Sequence, residues 1–303
     1  FYPVESKTLE NTKEAFLETM RAVNDRLGAT QGPWFSGQLE PSVIDIILIP
    51  TMERLEASIL YWRNVKLRGV FPNIDAWLEA WEEHPSYMAT KSDFFTLCSA
   101  MPSQNGPGYF SPDAKYVAYQ IYGLDGAWSL GKDCTIEQVN VDDESARFEA
   151  LYRMIENHAS LVKFCARAAG EPGTPSFHAE LADPYAEPNE EFVPAIDTCL
   201  RHVANALLNG ANSVEKLAYH DLQGVCVNEE LLEGWEAYEE DGRTYYWNCE
   251  TGDVAWTPPT GDLSGCLAYL RDRVGVPRDM SYPAARQLRM HLNWAIQILR
   301  KGV

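Results

Sequence analysis

Between Leu9 and Leu27 the apolar residues Phe16, Met20, Val23 and Leu27 recur every three or four positions. That spacing lines them up on one stripe of an amphipathic helix. Gly28 stands where a helix is commonly closed. After the turn-rich run Gly32-Pro33-Trp34-Phe35-Ser36-Gly37, a second helix is predicted to open at Ser42. Asp45 lies three residues on, so hydroxyl and carboxylate can cap each other's backbone N–H groups. The stripe continues through Met52, Leu55, Ile59 and Trp62, and Pro50 predicts a kink because it removes a ladder hydrogen bond. Pro72 suits a first helical turn, with Ile74, Trp77, Leu78 and Trp81 following at helical spacing until His84-Pro85 stops the element.

Further on, the pattern predicts a helix from Glu144 to Ala169 with Phe148, Leu151, Tyr152, Ile155, Ala159 and Val162 on one face. Another is expected from Glu190 to Leu208 through Ile196, Leu200, Val203 and Leu207. The stretch between them, 170–189, holds Pro172, Pro175, Pro184 and Pro188 and reads as an extended connection, either mobile or laid across a partner. Beyond Gly261 the helical pattern returns through Leu263, Leu267 and Leu270. A last helix opens at Ser281, carries Pro283 in its first turn and lines up Leu288, Leu292, Ala295 and Leu299. Arg300 and Lys301 suit the negative end of its dipole, and Gly302 can terminate it.

Composition then narrows the function classes. A 303-residue chain that is 46% hydrophobic can bury a sizeable core in one to three domains, which excludes wholesale disorder. Its net charge of −19 repels a phosphate backbone, so nucleic acid is not an expected partner. The most apolar run, Val43 to Pro50, is short and interrupted by Asp45. No membrane-spanning helix is therefore expected, and any membrane contact would go through partners. The chain opens on Phe1 rather than methionine, so an upstream piece is expected to have been removed or to lie outside this sequence. Seven cysteines (Cys98, Cys134, Cys165, Cys199, Cys226, Cys249 and Cys266) form no Cys-x-x-Cys pair, and their odd number excludes complete internal pairing. A reducing compartment fits better than a disulfide scaffold.

Candidate catalytic chemistry is sparse. The six histidines show no metal-ligand spacing, so structural or surface roles are expected and no metal site. Cys98 and Cys165 sit in apolar contexts where a thiol behaves as a small hydrophobe. Acidic pairs such as Glu82-Glu83 and Glu239-Glu240 read as solvated faces, and no glycine-rich phosphate loop follows a strand. Neither catalytic residues nor a cofactor is assigned.

The run Trp34-Phe35-Ser36-Gly37, Ser42-x-x-Asp45, Ile49-Pro50 and Glu53-Arg54-Leu55, followed by Phe71-Pro72-Asn73-Ile74 and Trp77, resembles the helical C-terminal half of glutathione transferases. Phe1-Tyr2-Pro3 is similar to the linker that enters that half, and the likeness covers residues 1 to about 100. It implies that Ser42 and Asp45 cap a central buried helix. The family activates glutathione with a thioredoxin-like half, for which no segment is available ahead of Glu10, so the catalytic half is expected to be absent. Later segments, Cys199-Leu200-Arg201-His202-Val203-Ala204 and Arg273 to Met280, are similar to extensions on plastid transferase-like proteins of algae and plants.

Trp235, Tyr245-Tyr246, Asn248, Thr251, Trp256 and Pro259 resemble the pattern of a WW domain. The likeness implies three strands, Trp235–Glu239, Arg243–Asn248 and Asp253–Thr257, joined at Asp241-Gly242 and Thr251-Gly252. Trp235, Tyr246, Asn248 and Pro259 would be structural, with the first, second and last closing a buckle. Tyr245 and Trp256 would form a slot for a proline of a stiff polyproline II segment. Cys249 stands where the family often has histidine and Val254 where it often has threonine, which puts ligand preference in doubt. A packed, purely structural module is the other reading.

The expected fold is mainly α: a transferase-like helical bundle with helical extensions and a small three-stranded antiparallel module. Domains are expected at 1–105, 106–229 (with its Pro-rich connection), 230–260 and 261–303. The expected function is a non-catalytic adaptor or linker, possible settings including a peripheral place on a plastid photosystem or light-harvesting complex. It would contact other protein subunits through a proline-containing extended segment. The alternative is a glutathione-dependent transferase whose thioredoxin-like half lies upstream.

Overall fold

The computed structural model describes residues 6–105, 111–132, 134, 136–137, 143–171, 173, 185–222, 231, 233–240, 243–249, 254–255 and 262–301. They form two compact units, Phe1–Ile121 and Tyr122–Val303, and are mainly helical. The first unit contains α1 (Ser6–Gly28), α2 (Val43–Arg63), α3 (Pro72–Glu82), the short α4 (Pro85–Met88), α5 (Phe94–Asn105) and α6 (Lys115–Ile121). The second contains α7 (Asp143–Glu156), α8 (His158–Ala166), α9 (Val193–Asn209), α10 (Ala211–Leu222), strands β1 (Trp235–Glu240), β2 (Arg243–Asn248) and β3 (Val254–Ala255), then α11 (Leu263–Arg271) and α12 (Tyr282–Lys301).

In the first unit the predicted stripes close on an aromatic core. Met20 and Leu27 of α1 are buried with Ile74, Trp77, Leu78 and Trp81 of α3. Trp34 meets Trp81 edge-on at 5.1 Å, and Phe35 meets Trp77 at 6.1 Å, arrangements that favour each ring's quadrupole beyond the area buried. Trp62, the last residue of the predicted α2 stripe, is only half-buried and sits edge-on to Tyr61. Helix α2 runs on through Pro50 and stops at Asn64, whose left-handed backbone returns its N–H to the Ile59 and Leu60 carbonyls. Its buried residues include Asp45, Ile49, Met52, Glu56, Ala57 and Leu60, with Leu55 and Ile59 partly buried beside them. Pro85 starts the short α4 rather than ending structure, because its ring suits a first turn.

Gly28 closes α1 where its position predicted and also makes room for a neighbouring side chain. It is the last residue of α1, and a Cβ there would lie 2.5 Å from the Asn73 amide nitrogen. Asn73 uses that space to tie α1 to α3: its backbone N–H donates to the Asn24 side chain at 2.9 Å, and its side chain donates to the Asn24 carbonyl at 3.0 Å.

The second unit is organised around α9, whose Ile196, Leu200, Val203 and Leu207 are fully buried. Burial of each stabilises by about 1.5–3 kcal/mol relative to exposure. Helices α7, α8, α10, α11 and α12 all pack against it. The long helix expected over 144–169 is divided at Asn157, and its predicted face is split. Ala146, Ala150, Leu151 and Met154 face the core, while Phe148, Tyr152, Ile155 and Ala159 are exposed. Ala146 and Ala150 leave room for α12 to pack closely, while Leu151 and Met154 supply the bulk of this inward face. Leu263, Leu267, Leu270, Leu288, Leu292, Ala295 and Leu299 are buried. Helices α5, α6 and α10 lie outside the predicted elements, although Val214, Ala218 and Leu222 of α10 recur at helical spacing and are buried.

The three strands are antiparallel in the order β1-β2-β3. Among the described residues β1 and β2 pair over six residues each and β3 covers Val254–Ala255; the other positions of the strand expected over 253–257 lie outside the described residues. The predicted turns at Asp241-Gly242 and Thr251-Gly252, most of the Pro-rich connection, Cys226, Trp256 and Pro259 lie outside the described residues.

Candidate functional site

The β1–β2 pair places Trp235 opposite Asn248, Ala237 opposite Tyr246, Glu236 opposite Trp247 and Tyr238 opposite Tyr245. Because side chains alternate along a strand, Trp235, Ala237, Tyr246 and Asn248 share one face, and Glu236, Tyr238, Tyr245 and Trp247 share the other. On the first face Asn248 is buried and Trp235 and Tyr246 are half-buried. Cys249 is exposed just past β2, and its N–H donates to the Gly234 carbonyl at 2.8 Å. Val254 pairs through its backbone with Trp247.

The second face carries a contiguous aromatic surface. Tyr238 stacks on Tyr245 with centroids 5.6 Å apart and planes 20° from parallel, and meets Trp247 edge-on at 6.2 Å. The Tyr238 hydroxyl donates to the Glu236 carboxylate at 2.5 Å. That bond, with a little desolvation, pushes the Tyr238 phenol above its ordinary value and keeps it protonated. Of the residues singled out in the sequence for this face, Tyr245 is present among neighbours; Tyr238, Trp247 and Glu236 were missed. A signal existed, since 236 and 238 share the two-residue period and Trp247 is two residues from Tyr245.

The predicted capping pair is built as a wider junction. Asp45 is fully buried; its Oδ2 accepts the Ser42 N–H at 2.8 Å and the Ser42 hydroxyl at 2.5 Å. Its Oδ1 accepts the Phe35 N–H at 3.1 Å and the Trp77 indole N–H at 2.8 Å. Burial alone would raise its pKa, but the four donors more than offset this and hold the carboxyl below its ordinary range. Nothing in the sequence spacing links Asp45 to Trp77, 32 positions away.

A second polar cluster joins α2 to the α3–α5 corner. Arg68 donates to Glu56 at 3.0 Å and to Glu82 at 2.7 Å, Lys91 reaches Glu82 at 2.6 Å, and Glu53 accepts the Ser92 N–H at 2.6 Å. Burial raises the pKa of both Glu53 and Glu56 despite these partners. In the second unit, His158 pairs with Asp197 at 2.5 Å and His202 with Asp221 at 3.2 Å, contacts that join α8 to α9 and α9 to α10.

The six described cysteines are free thiols. Cys98, Cys165, Cys199 and Cys266 are buried, and desolvation pushes the last two to about 12, far from a reactive thiolate. Among the described residues no group of three or more histidine, cysteine or carboxylate side chains could hold a metal ion. No described helix is long and apolar enough to cross a membrane.

These features define a helical protein with an attached antiparallel sheet whose exposed face is aromatic. Residues 7–80 match the family model described as Glutathione S-transferase, C-terminal domain. The match spans α1, the Trp34–Gly37 turn, the Ser42–Asp45 cap and most of α3, so the first unit is glutathione transferase C-terminal-like over that stretch. No curated protein and no solved structure matches the chain.

Proposed function

We propose that the chain is a non-catalytic adaptor whose WW-like sheet holds a proline-containing extended segment of a partner subunit. The observation that carries this reading is the Tyr238–Tyr245–Trp247 surface on one face of β1–β2. Flat rings pack well against pyrrolidine, and a polyproline II segment is already stiff, so little entropy is lost on docking. Trp256 completes the slot in this reading, while Trp235, Tyr246, Asn248 and Pro259 hold the module together. The helical units act as the body that positions it.

A plastid setting, soluble or peripheral to the thylakoid membrane on a photosystem or light-harvesting complex, is the placement favoured by the similarity of segments 199–204 and 273–280 to extensions on plastid transferase-like proteins. Replacing Trp256 by alanine is expected to release the chain from its native complex while its far-UV helical signal stays the same. Co-purification at wild-type levels would count against docking through the sheet.

A second reading, a glutathione-dependent transferase, is favoured by the family match over residues 7–80. Retention of the full-length gene product on immobilised glutathione, with elution by free glutathione, would establish it over the adaptor.

A further inference from the structure

We infer that two copies of this chain pair through the opening turns of α2, antiparallel about a twofold axis at Ile47, with Glu40 of each copy set against Arg54 of the other. The inference is independent of the sheet and of what the sheet binds.

An exposed apolar face on a packed helix is the first observation. At 3.6 residues per turn, Val43, Ile44, Ile46, Ile47, Pro50 and Arg54 fall on one side of α2, and all six are exposed. The valine and the three isoleucines keep 55% to 70% of their surface open, and Leu39, just ahead of the Ser42 cap, keeps 97%. From Val43 to Met52 the one charged residue is Asp45, and it is buried. The fold of a single copy gives no reason for these choices. Asp45, Ile49 and Met52 already fix the opposite side of the same turns in the core. β-Branched side chains are only moderate helix formers, so lysine or glutamate would serve an exposed position better. A contiguous apolar stretch left open in this way marks a contact surface.

Charge names the occupant. Each copy carries a net charge of −19, so two copies approach with least repulsion where the surface is uncharged. Glu40 and Arg54 bracket the apolar stretch, both exposed and each seven positions from Ile47. Antiparallel pairing about Ile47 therefore sets Glu40 against Arg54 at both ends, and Ile44 against Pro50 between them. Glu40 stands two residues ahead of the helix cap, and the long arginine stem supplies the reach. A parallel pair would oppose like charges at each end, and a foreign partner requires no such symmetry. About six side chains from each copy fall well short of the roughly 20–30 a side of a standard interface. The pairing is accordingly weak, with a dissociation constant on the order of 10 μM.

The test is sedimentation of the whole chain from about 1 to 100 μM at near-physiological salt, with circular dichroism as the check on folding. A concentration-dependent passage from monomer to dimer is expected. Ile47→Lys, which sets two like charges face to face on the axis, weakens the dimer roughly tenfold or more. Ile47→Ser moves it in the same direction without adding charge. Glu40→Arg alone or Arg54→Glu alone opposes like charges at both ends and weakens it roughly tenfold, while the double reversal restores wild-type association. A chain that stays monomeric across the range overturns the inference, as does assembly beyond two copies. A dimer indifferent to Ile47→Lys overturns it too, and so does one that the single reversals weaken and the double reversal fails to restore. None of these outcomes bears on whether the sheet holds a proline segment.

Discussion

Asp45 illustrates how much a single buried carboxylate can organise. Its four donors come from Ser42, Phe35 and Trp77, so it locks the start of α2, the aromatic turn before it and the middle of α3 into one arrangement. Removing the carboxylate strands the Phe35 N–H and the Trp77 indole N–H in the core, each at about 1–3 kcal/mol. Asp45→Ala should therefore destabilise the first unit by about 3–5 kcal/mol in denaturant unfolding followed by tryptophan fluorescence. The pH dependence has a definite sign. The folded-state pKa is lowered from 3.8, so Asp45 contributes its stability above that value and loses it as pH falls through the folded value. The gap between wild type and Asp45→Asn should thus be full at neutral pH and close in strong acid; a gap independent of pH would contradict the four-donor account.

At the level of elements, the polar cluster linking α2 to the α3–α5 corner works in the opposite direction. Two carboxylates, Glu56 and Glu82, share the cations Arg68 and Lys91, and Glu53 lies within the electrostatic reach of Lys91. Burial raises Glu53 and Glu56 above their ordinary value of 4.5. A raised carboxylate binds its proton more tightly in the folded chain, so its contribution is complete below the ordinary value and is lost as pH rises through the folded one. Glu53→Gln keeps an acceptor for the Ser92 N–H but carries no charge. Its melting temperature relative to wild type should rise between about pH 4 and pH 8; parallel stability curves would show that Glu53 feels no burial in solution.

Helix faces show where periodicity was and was not informative. On α9 the apolar residues recur on one narrow stripe, and all four predicted positions are fully buried. On α7 two faces compete for the core, and the one carrying Ala146, Ala150, Leu151 and Met154 is buried while Phe148, Tyr152 and Ile155 stay exposed. A pattern read from hydrophobicity ranks Phe148 above Ala150, but helix packing also rewards close approach. The division at Asn157 and the inserted α8 follow from the same contest, since each half must turn its own short stripe toward α9.

Across the whole molecule, the net charge of −19 is the dominant electrostatic fact. Like charges repel within each compact unit, and added salt screens them over a Debye length of about 8 Å at physiological strength. The thermal midpoint should accordingly rise by a few degrees from roughly 20 mM to 0.5 M sodium chloride. A midpoint that falls with salt would mean that attractive pairs such as Arg201 with Asp197 outweigh the net repulsion.

The existence and type of the strongly periodic helices, the cap at Ser42, the acidity and the tyrosine pair on a short strand were all legible in the residues alone. These are local properties: a hydrophobic stripe, a hydroxyl three residues before a carboxylate, a two-residue alternation. Folding alone brought Trp77 to Asp45, Asn73 into the space beside Gly28 and Arg68 between Glu56 and Glu82. Those contacts join residues distant in the chain, and spacing along a sequence carries no information about which distant groups a packed core will make neighbours.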